Sequence, residues 1–356
     1  MQDKILAWLE FLIAQDTQNP PRTISADDAL FQTLQKHLIE YGFSVELLDY
    51  GNGSVCLYAH RGQHTVLFNV HLDTVPVNSG WSYDPFTLTV VDDRVYGRGC
   101  CDIKGAAACL MALSETDTDL SLLFSTDEEG TESCCIQHFL DTHDLSAYQQ
   151  VIVAEPTQCQ AALSHRGYLS AHGVFDGISG HSSNPAALTH NAIHKAHQWL
   201  QQALVFAGNC VTTENPAGVA FNLGYFEGGT KNNMIAEQAR LGFSTRVPGG
   251  GCSQQLYAQL TALDGAAQWH YSMSAPALPA SGQDSHQSLS FCQQHQIDTV
   301  ASVDFWTEAA LFSQAGMAAI VLGPGDIAQA HTTDEWVSQE QLDQCYQIYR
   351  RISDAT

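Results

Sequence analysis

The chain has 356 residues, length for two domains rather than one core, and 44% of them are hydrophobic with a mean hydropathy of −0.12, the composition of an ordinary globular protein. Lys plus Arg number 14 against 38 Asp plus Glu, a formal charge of −24, which argues against nucleic acid or an anionic membrane as partner. No apolar run reaches membrane-spanning length, and eleven cysteines without a Cys-x-x-Cys pair read as reduced thiols, so the expected location is the cytoplasm.

Residues 2–15 read as an amphipathic helix on Ile5, Leu6, Trp8, Leu9, Leu12 and Ile13. Asp3 and Glu10 lie within it, and it lacks the basic region and small-residue cleavage site of a secretory leader. Asn19-Pro20-Pro21 turns the chain, and a second helix is expected from Ser25 as N-cap, with Asp28 in its first turn, to Gly42. Strands follow at 43–49, 55–60 and 65–70, then a short pair within 87–96 around Asp92-Asp93. A helix from Lys104 to Leu113 is rich in Ala and free of β-branched residues. Strand 120–125, a helix near 133–141 and strand 150–154 complete a β/α alternation, which implies a mostly parallel sheet.

After Arg166-Gly167 the pattern changes to strand 168–175, helix 185–206, strands 219–227 and 233–246, helix 253–263 and strand 267–273. That β-α-β-β-α-β order is a ferredoxin-like unit. From about 276 the α/β pattern resumes with helices 284–295 and 308–315, strand 318–322 and helix 338–352. The expected organisation is an α/β catalytic domain of residues 1–165 and 276–356, split by an inserted α+β domain of residues 166–275, with no internal repeat or low-complexity segment.

The chemistry gathers where apolar runs end. Val66-Leu-Phe-Asn-Val leads into His71-Leu72-Asp73, Leu122 to Ser125 leads into Asp127-Glu128-Glu129, Val151 to Ala154 leads into Glu155, and Ala319 to Leu322 leads into Gly323 and then His331. Asp102 opens the helix after Gly97-Arg98-Gly99-Cys100-Cys101. Parallel strands would bring all of these to one edge of one sheet. In an extended chain His71 and Asp73 share a face, so the carboxylate can hold the ring in one tautomer; the bland alternative is a polar pair at a strand end. Two histidines and several carboxylates without a thiolate motif suit zinc or a similar divalent ion. A carboxylate can bridge two ions about 3.5–4 Å apart. Adjacent Glu128 and Glu129 point in different directions, so one can bind metal while the other accepts a proton from water.

Singly, each carboxylate reads as a solvated surface charge; their convergence at strand ends favours a metal site. His190, His194 and His197 fall at i, i+4 and i+7 on a helix face but lack the glutamate of a His-Glu-x-x-His site, so they read as surface or interface groups. Lys231 reads as solvated and Arg166 as an ion pair near the domain junction. Glu308 either meets a polar substrate or caps its helix, and Cys100 and Cys101 read as small packing groups.

The motifs His71-Leu-Asp-Thr-Val-Pro76, Gly97-Arg-Gly-x-x-Asp102-x-Lys104-Gly105, Thr126-Asp-Glu-Glu-Gly130, Glu155-Pro156, Gly180-His181-Ser-Ser183 and Gly323-Pro-Gly325 with Ala330-His331 resemble, in order and over nearly the whole chain, the M20 metallopeptidases and deacylases. Asn19-Pro-Pro-Arg22, Asp304-Phe-Trp-Thr-Glu-Ala309 and Gly325 to His331 are similar to the compact acetylornithine and acetylcitrulline deacetylases of that family. The resemblance implies one metal on His71, Asp102 and Glu155 and another on Asp102, Glu129 and His331, with Asp102 bridging. The ions would be Zn2+, with Co2+ possible. It implies Glu128 as general base, Asp73 as the residue orienting His71, and a cis peptide at Asp102–Ile103. It also implies that residues 166–275 act as a lid and homodimerisation domain, with His181 reaching the partner subunit's active site to stabilise an oxyanion. Arg246 would grip the substrate α-carboxylate, and Asn233, Glu308 and Gly323 would line its pocket.

The function so implied is hydrolysis of an N-acetyl amino acid, acetylornithine or acetylcitrulline, by metal-bound water. Within the family, a succinyl-diaminopimelate desuccinylase or a di- or aminopeptidase shares the metal site. A non-catalytic metal- or amino-acid-binding protein is the reading from another class, and it has no use for Glu128.

Overall fold

The computed structural model describes residues 1–21, 24–63, 65–130, 135–211, 218–263, 267–300 and 302–355. Arg22 and the first two positions of the helix expected from 133 lie outside them. In chain order the elements are α1 (Gln2–Ile13), α2 (Ala29–Glu40), β1 (Ser44–Asp49), β2 (Val55–Arg61), β3 (Val66–His71), β4 (Thr89–Val91), β5 (Arg94–Tyr96), α3 (Lys104–Ser114), β6 (Leu120–Ser125), α4 (Cys135–Thr142), β7 (Gln150–Val153) and β8 (Ala161–Ala162). They continue as β9 (Gly167–Asp176), β10 (Gly180–His181), α5 (Ala187–His190), α6 (Ala192–Asn209), β11 (Phe221–Gly228), β12 (Met234–Ile235), β13 (Gln238–Val247), α7 (Ser253–Thr261) and β14 (Gln268–Ala275). The last are α8 (His286–Gln294), β15 (Thr299–Val300), α9 (Ala309–Gln314), β16 (Ala319–Val321), β17 (Trp336–Ser338) and α10 (Gln339–Asp354). The chain divides into two compact units. One comprises Met1–Ser164, Asp284–Val303 and Thr307–Thr356; the other comprises His165–Gln283 with Asp304–Trp306.

The first unit holds an eight-stranded mixed sheet in the order β1-β2-β6-β3-β7-β16-β8-β15. Its centre, β6-β3-β7-β16, is parallel throughout. Every residue of these four strands is buried, as expected when both faces are covered and the sequence runs mostly as Val, Leu, Ile and Phe. All eleven residues of α3 are buried, and it packs against α1 and α10. Ser338 caps α10 by accepting from Gln341 N–H, and Tyr349 Oη donates to Leu322 O at 2.6 Å, which ties α10 to the end of β16. A separate three-stranded sheet, β17-β5-β4, joins the short pair near residue 90 to a strand more than two hundred residues later.

The second unit is a four-stranded antiparallel sheet in the order β11-β13-β9-β14, with α6 and α7 packed on it. The β-α-β-β-α-β order carries the ferredoxin-like topology. β9 alternates buried and part-buried residues, the signature of a sheet with one face on the core. That core centres on Trp199, whose indole meets Phe175, Phe221, Phe243 and Trp269 and whose Nε1–H donates to Leu260 O at 2.9 Å. Residues 276–283 stay with this unit because His165 and Leu278 exchange both backbone hydrogen bonds and Gly250 N–H donates to Pro279 O.

Two local expectations change. Ser25 does not cap α2: its N–H donates to Asp28 Oδ2 and its carbonyl accepts from Asp28 N–H, closing a turn that delays the helix until Asp28 is the N-cap. His190 does not share a helix with His194 and His197, because Asn191 interrupts the run and caps α6 by accepting from Ile193 N–H. His194 and His197 are exposed.

Candidate active site

The parallel order places the ends of β3, β6, β7 and β16 side by side, and the chemistry-bearing residues follow at each end. His71 closes β3 and is 1% exposed. Its Nδ1 lies 2.9 Å from the backbone carbonyl of Asp73 and 3.4 Å from that residue's carboxylate. The carbonyl rather than the carboxylate therefore sets the ring's tautomer. The Asp73 carboxylate instead accepts from Asn19 Nδ2 at 2.9 Å and Glu129 N–H at 3.0 Å, which fixes the loop that carries Glu129.

With Nδ1–H committed to a carbonyl, Nε2 of His71 presents its lone pair to Asp102 Oδ1 at 3.2 Å and Glu155 Oε1 at 3.5 Å. The other oxygen of Asp102 lies 3.1 Å from His331 Nε2, which is also 3.0 Å from Glu129 Oε1. Asp102 thus stands between the two imidazoles, one oxygen to each. The peptide after it, Asp102–Ile103, is cis. One ligand atom each from His71, Asp102 and Glu129 lie within 4.8 Å of one another. Glu128 has its carboxyl among His71, Glu155, Glu129 and Asp102.

Electrostatics measure how poorly this cluster tolerates itself. Burial and the charge of Asp102 push Glu155 up to about 7. Burial drives Glu128 well above the usual carboxylate range, opposed by His71 and reinforced by Glu155. Burial works against a charged His71, yet contacts with Asp102, Asp73 and Glu155 outweigh it and raise that imidazole. Hydrogen bonds to Asp102 and Glu129 lift His331 to about 10. Oδ1 of Asp102 is buried without a hydrogen-bond partner among the described residues. Carboxylates crowded around two imidazoles, a buried Asp102 oxygen without a hydrogen-bond partner among the described residues, and a donor set without thiolate fit a divalent cation.

Gly323, two residues past the end of β16, lies so close to the β7 end that a Cβ would sit 2.6 Å from Glu155 O. Gly325 has φ +87°, and a Cβ there would meet Cys101 Sγ at 2.4 Å. Cys100 and Cys101 are buried, their thiols donating to Val95 O and Asp326 O. Glu308 is 1% exposed: its Oε2 accepts from Ser125 Oγ at 2.9 Å, Oε1 has no partner among the described residues, and the side chain makes no cap bond to α9. Ser125 pairs with His71 across β6 and β3, so Glu308 lies beside the cluster and not on the surface.

In the second unit, His181 on β10 pairs with Met234 on β12, and Ser182 N–H donates to Asn233 O at 3.1 Å, which brings His181 and Asn233 together. His181 is exposed and its Nδ1 accepts from Ser183 N–H at 3.2 Å, so in the neutral ring the proton resides on Nε2. Arg246 stands apart on β13, exposed, with its guanidinium 5.1 Å above the Tyr168 ring. Lys231 is exposed, and Arg166 lies 3.5 Å from Asp304.

Sequence reasoning passed over Asn19 as a partner of Asp73, Ser125 as a partner of Glu308, and Glu335, whose buried carboxylate binds the loop before α3. Asn19 carried a usable signal, since it precedes the turn-forming Pro20-Pro21; a buried glutamate such as Glu335 leaves none.

A buried imidazole, a half-exposed one and a ring of carboxylates at the carboxyl edge of a parallel sheet, with Glu128 beside them, define a metal-dependent hydrolase. The sequence of residues 67–355 matches the peptidase family M20/M25/M40, and the chain belongs to that family. It is 41% identical to the N-acetyl-L-citrulline deacetylase of Xanthomonas campestris over 98% of this chain and 96% of that protein. It is 33% identical to the acetylornithine deacetylase of Proteus mirabilis over 89% and 87%. Among solved structures, the aminopeptidase PepT of Bacillus cereus superposes with a TM-score of 0.76 at 15% identity, covering 99% of this chain and 98% of that one. A tripeptidase of Staphylococcus aureus gives 0.70 at 13% identity over 100% and 98%.

Proposed function

We propose that this protein hydrolyses the acetamide of an N-acetyl α-amino acid, N-acetylcitrulline in first place and N-acetylornithine in second, as a step of arginine biosynthesis in the cytoplasm. The observation that carries the reading is the placement of Asp102 between His71 and His331, with Glu128 beside it and outside the histidine–carboxylate contacts. The greater identity to the N-acetyl-L-citrulline deacetylase over nearly full length supports the order of substrates.

His71, Asp102 and Glu155 would hold one zinc ion and Asp102, Glu129 and His331 a second, with Co2+ as a substitute. Bound metal supplies Lewis acidity toward the amide carbonyl and makes water acidic enough to attack it at neutral pH. Glu128 takes the proton from the attacking water and returns it to the leaving amine, a role suited to a carboxyl whose surroundings raise its proton affinity. His181, with its proton on Nε2, donates to the developing oxyanion, acting in the partner subunit of a homodimer formed through residues 166–275. Arg246 binds the α-carboxylate, and Asn233, Gly323 and Glu308 shape the pocket. Asp73 holds the ring of His71 through its carbonyl. Zinc-reconstituted protein should therefore turn over N-acetylcitrulline faster than N-acetylornithine and leave a dipeptide intact. Cleavage of the dipeptide alone would overturn the substrate class while leaving the metal site standing.

A further inference from the structure

The loop that carries Asp102 is wrapped around one side chain from a distant part of the chain. Glu335 is 1% exposed. Its Oε1 accepts from the backbone N–H of Cys101 and of Asp102, each at 3.0 Å. Its Oε2 accepts from Gly99 N–H at 3.2 Å and from Arg98 Nη1 at 2.6 Å. Its carbonyl accepts from Gly97 N–H at 3.2 Å and shares the Cys100 thiol, 3.3 Å away, with Val95 O. Every residue from Gly97 to Asp102 therefore touches Glu335. The loop reaches this shape through Gly99, whose φ is +83° and where a Cβ would meet Thr74 Cγ2 at 2.7 Å.

We propose that Glu335 is a positioning residue for the metal centre: its carboxylate fixes Asp102 between His71 and His331 by binding the loop N–H groups of Gly99, Cys101 and Asp102. The inference rests on the metal reading of this site and assigns a role to a residue that reaches neither metal nor substrate. Charge-assisted bonds to backbone N–H are short and directional. They hold the main chain of Asp102 from behind and leave both of its side-chain oxygens facing the histidines. Glu335 also lies four residues beyond His331, on the same stretch that enters β17. One carboxylate thus couples two candidate ligands that are 229 positions apart in the chain, and a shift of either moves the other.

Arg98 permits a sharper test, because its guanidinium neutralises Glu335 without touching the Asp102 main chain. The structural alternative is that the buried Arg98–Glu335 pair serves only folding. Glu335→Gln keeps size and one accepting oxygen; Arg98→Lys keeps the positive charge and all three loop N–H bonds. Zinc affinity is read by competition with a chromophoric chelator, alongside kcat, KM and thermal unfolding in excess chelator. The expected result for Glu335→Gln is a zinc dissociation constant raised about 10- to 100-fold. At saturating zinc kcat should fall with KM within about threefold, and Arg98→Lys should change zinc affinity by less than about threefold. Should Glu335→Gln not fold, Glu335→Asp, which retains the charge one methylene short, is expected to weaken zinc in the same direction. Unchanged zinc affinity in the folded variant overturns the proposal, and so does an equal loss in Arg98→Lys, which would locate the effect in the ion pair. Since zinc affinity is measured without substrate, a wrong substrate class leaves this result intact.

Discussion

Removing divalent metal should make the stability of this protein fall as pH rises through neutrality. In the metal-free cluster Glu155 sits at about 7 against an ordinary 4.5, because of burial and Asp102, and His331 at about 10 against 6.5, because of its bonds to Asp102 and Glu129. Both are raised by folding. The stability each contributes is complete below its unfolded value and disappears as pH climbs to its folded value. For Glu155 that window runs from 4.5 to about 7, and for His331 from 6.5 to about 10. Asp102 is shifted down from 3.8, so its opposite contribution falls at acid pH, outside this range. One retained proton corresponds to about 1.4 kcal/mol per pH unit. From pH 6 to 8 Glu155 then accounts for roughly 1.4 kcal/mol. His331 accounts for roughly 1 kcal/mol once its share is halved, because its side chain is 49% exposed. The sum, roughly 2–3 kcal/mol, corresponds to about 5–10 °C in Tm for a unit of this size. Metal binding requires these same groups deprotonated, so the zinc-loaded protein should show a flat or rising Tm over the interval. Scanning calorimetry in chelator and in excess zinc at pH 6, 7 and 8 provides the comparison. A chelated protein whose Tm is constant or rises between pH 6 and 8 would refute the reasoning.

Replacing Glu128 by Gln should lower kcat on N-acetylcitrulline at least 100-fold while metal content stays near the parent's; turnover within tenfold of the parent would remove Glu128 from its role. Burial pushes Glu308 up to about 8 against an ordinary 4.5, so the stability tied to its proton is complete below 4.5 and is lost as pH rises to about 8. Glu308→Gln should therefore gain Tm relative to the parent between pH 5 and 8, at roughly 1.4 kcal/mol per pH unit, and the difference should level off above pH 8; a pH-independent difference across that interval would show that Glu308 is not the titrating group. Trp199→Ala empties the middle of the second unit's core and should cost about 3–5 kcal/mol in urea unfolding, with less than about 1 kcal/mol showing that the site can collapse.

Much of the first unit was legible because buried parallel strands announce themselves as nearly continuous apolar runs, and each run here ends in its chemistry: Val70 to His71, Phe124 to Asp127, Val153 to Glu155. Adjacency of β6, β3, β7 and β16 was implied by the need to gather those ends. The positions of β1, β2, β8 and β15 carried no such requirement. The pair β4-β5 was read, but its third strand, β17, escaped notice because a three-residue strand has no periodicity to read and its pairing with β5 spans most of the chain. Hydrogen bonds between distant loops were also invisible: nothing near Glu335 distinguishes it from a solvated acid until the fold presents four donors to its carboxylate. At Ser25 and Asn191 the side chains favoured in caps were recognised or passed over by type alone. Which turn each residue closes depends on a neighbour's carboxylate or N–H.

Cys56, Cys100, Cys101, Cys109, Cys135, Cys159, Cys292 and Cys345 are buried free thiols, while Cys210 and Cys252 are partly accessible. All eight buried positions lie in the first unit, from β2 through α10. A thiol reacts with an alkylating reagent only when the chain around it opens. Brief pulses of iodoacetamide, followed by peptide mass spectrometry, would thus time the exposure of each strand and helix without any introduced label. The loop ahead of Asp102, the heart of α3 and the carboxyl-terminal helix each carry their own clock.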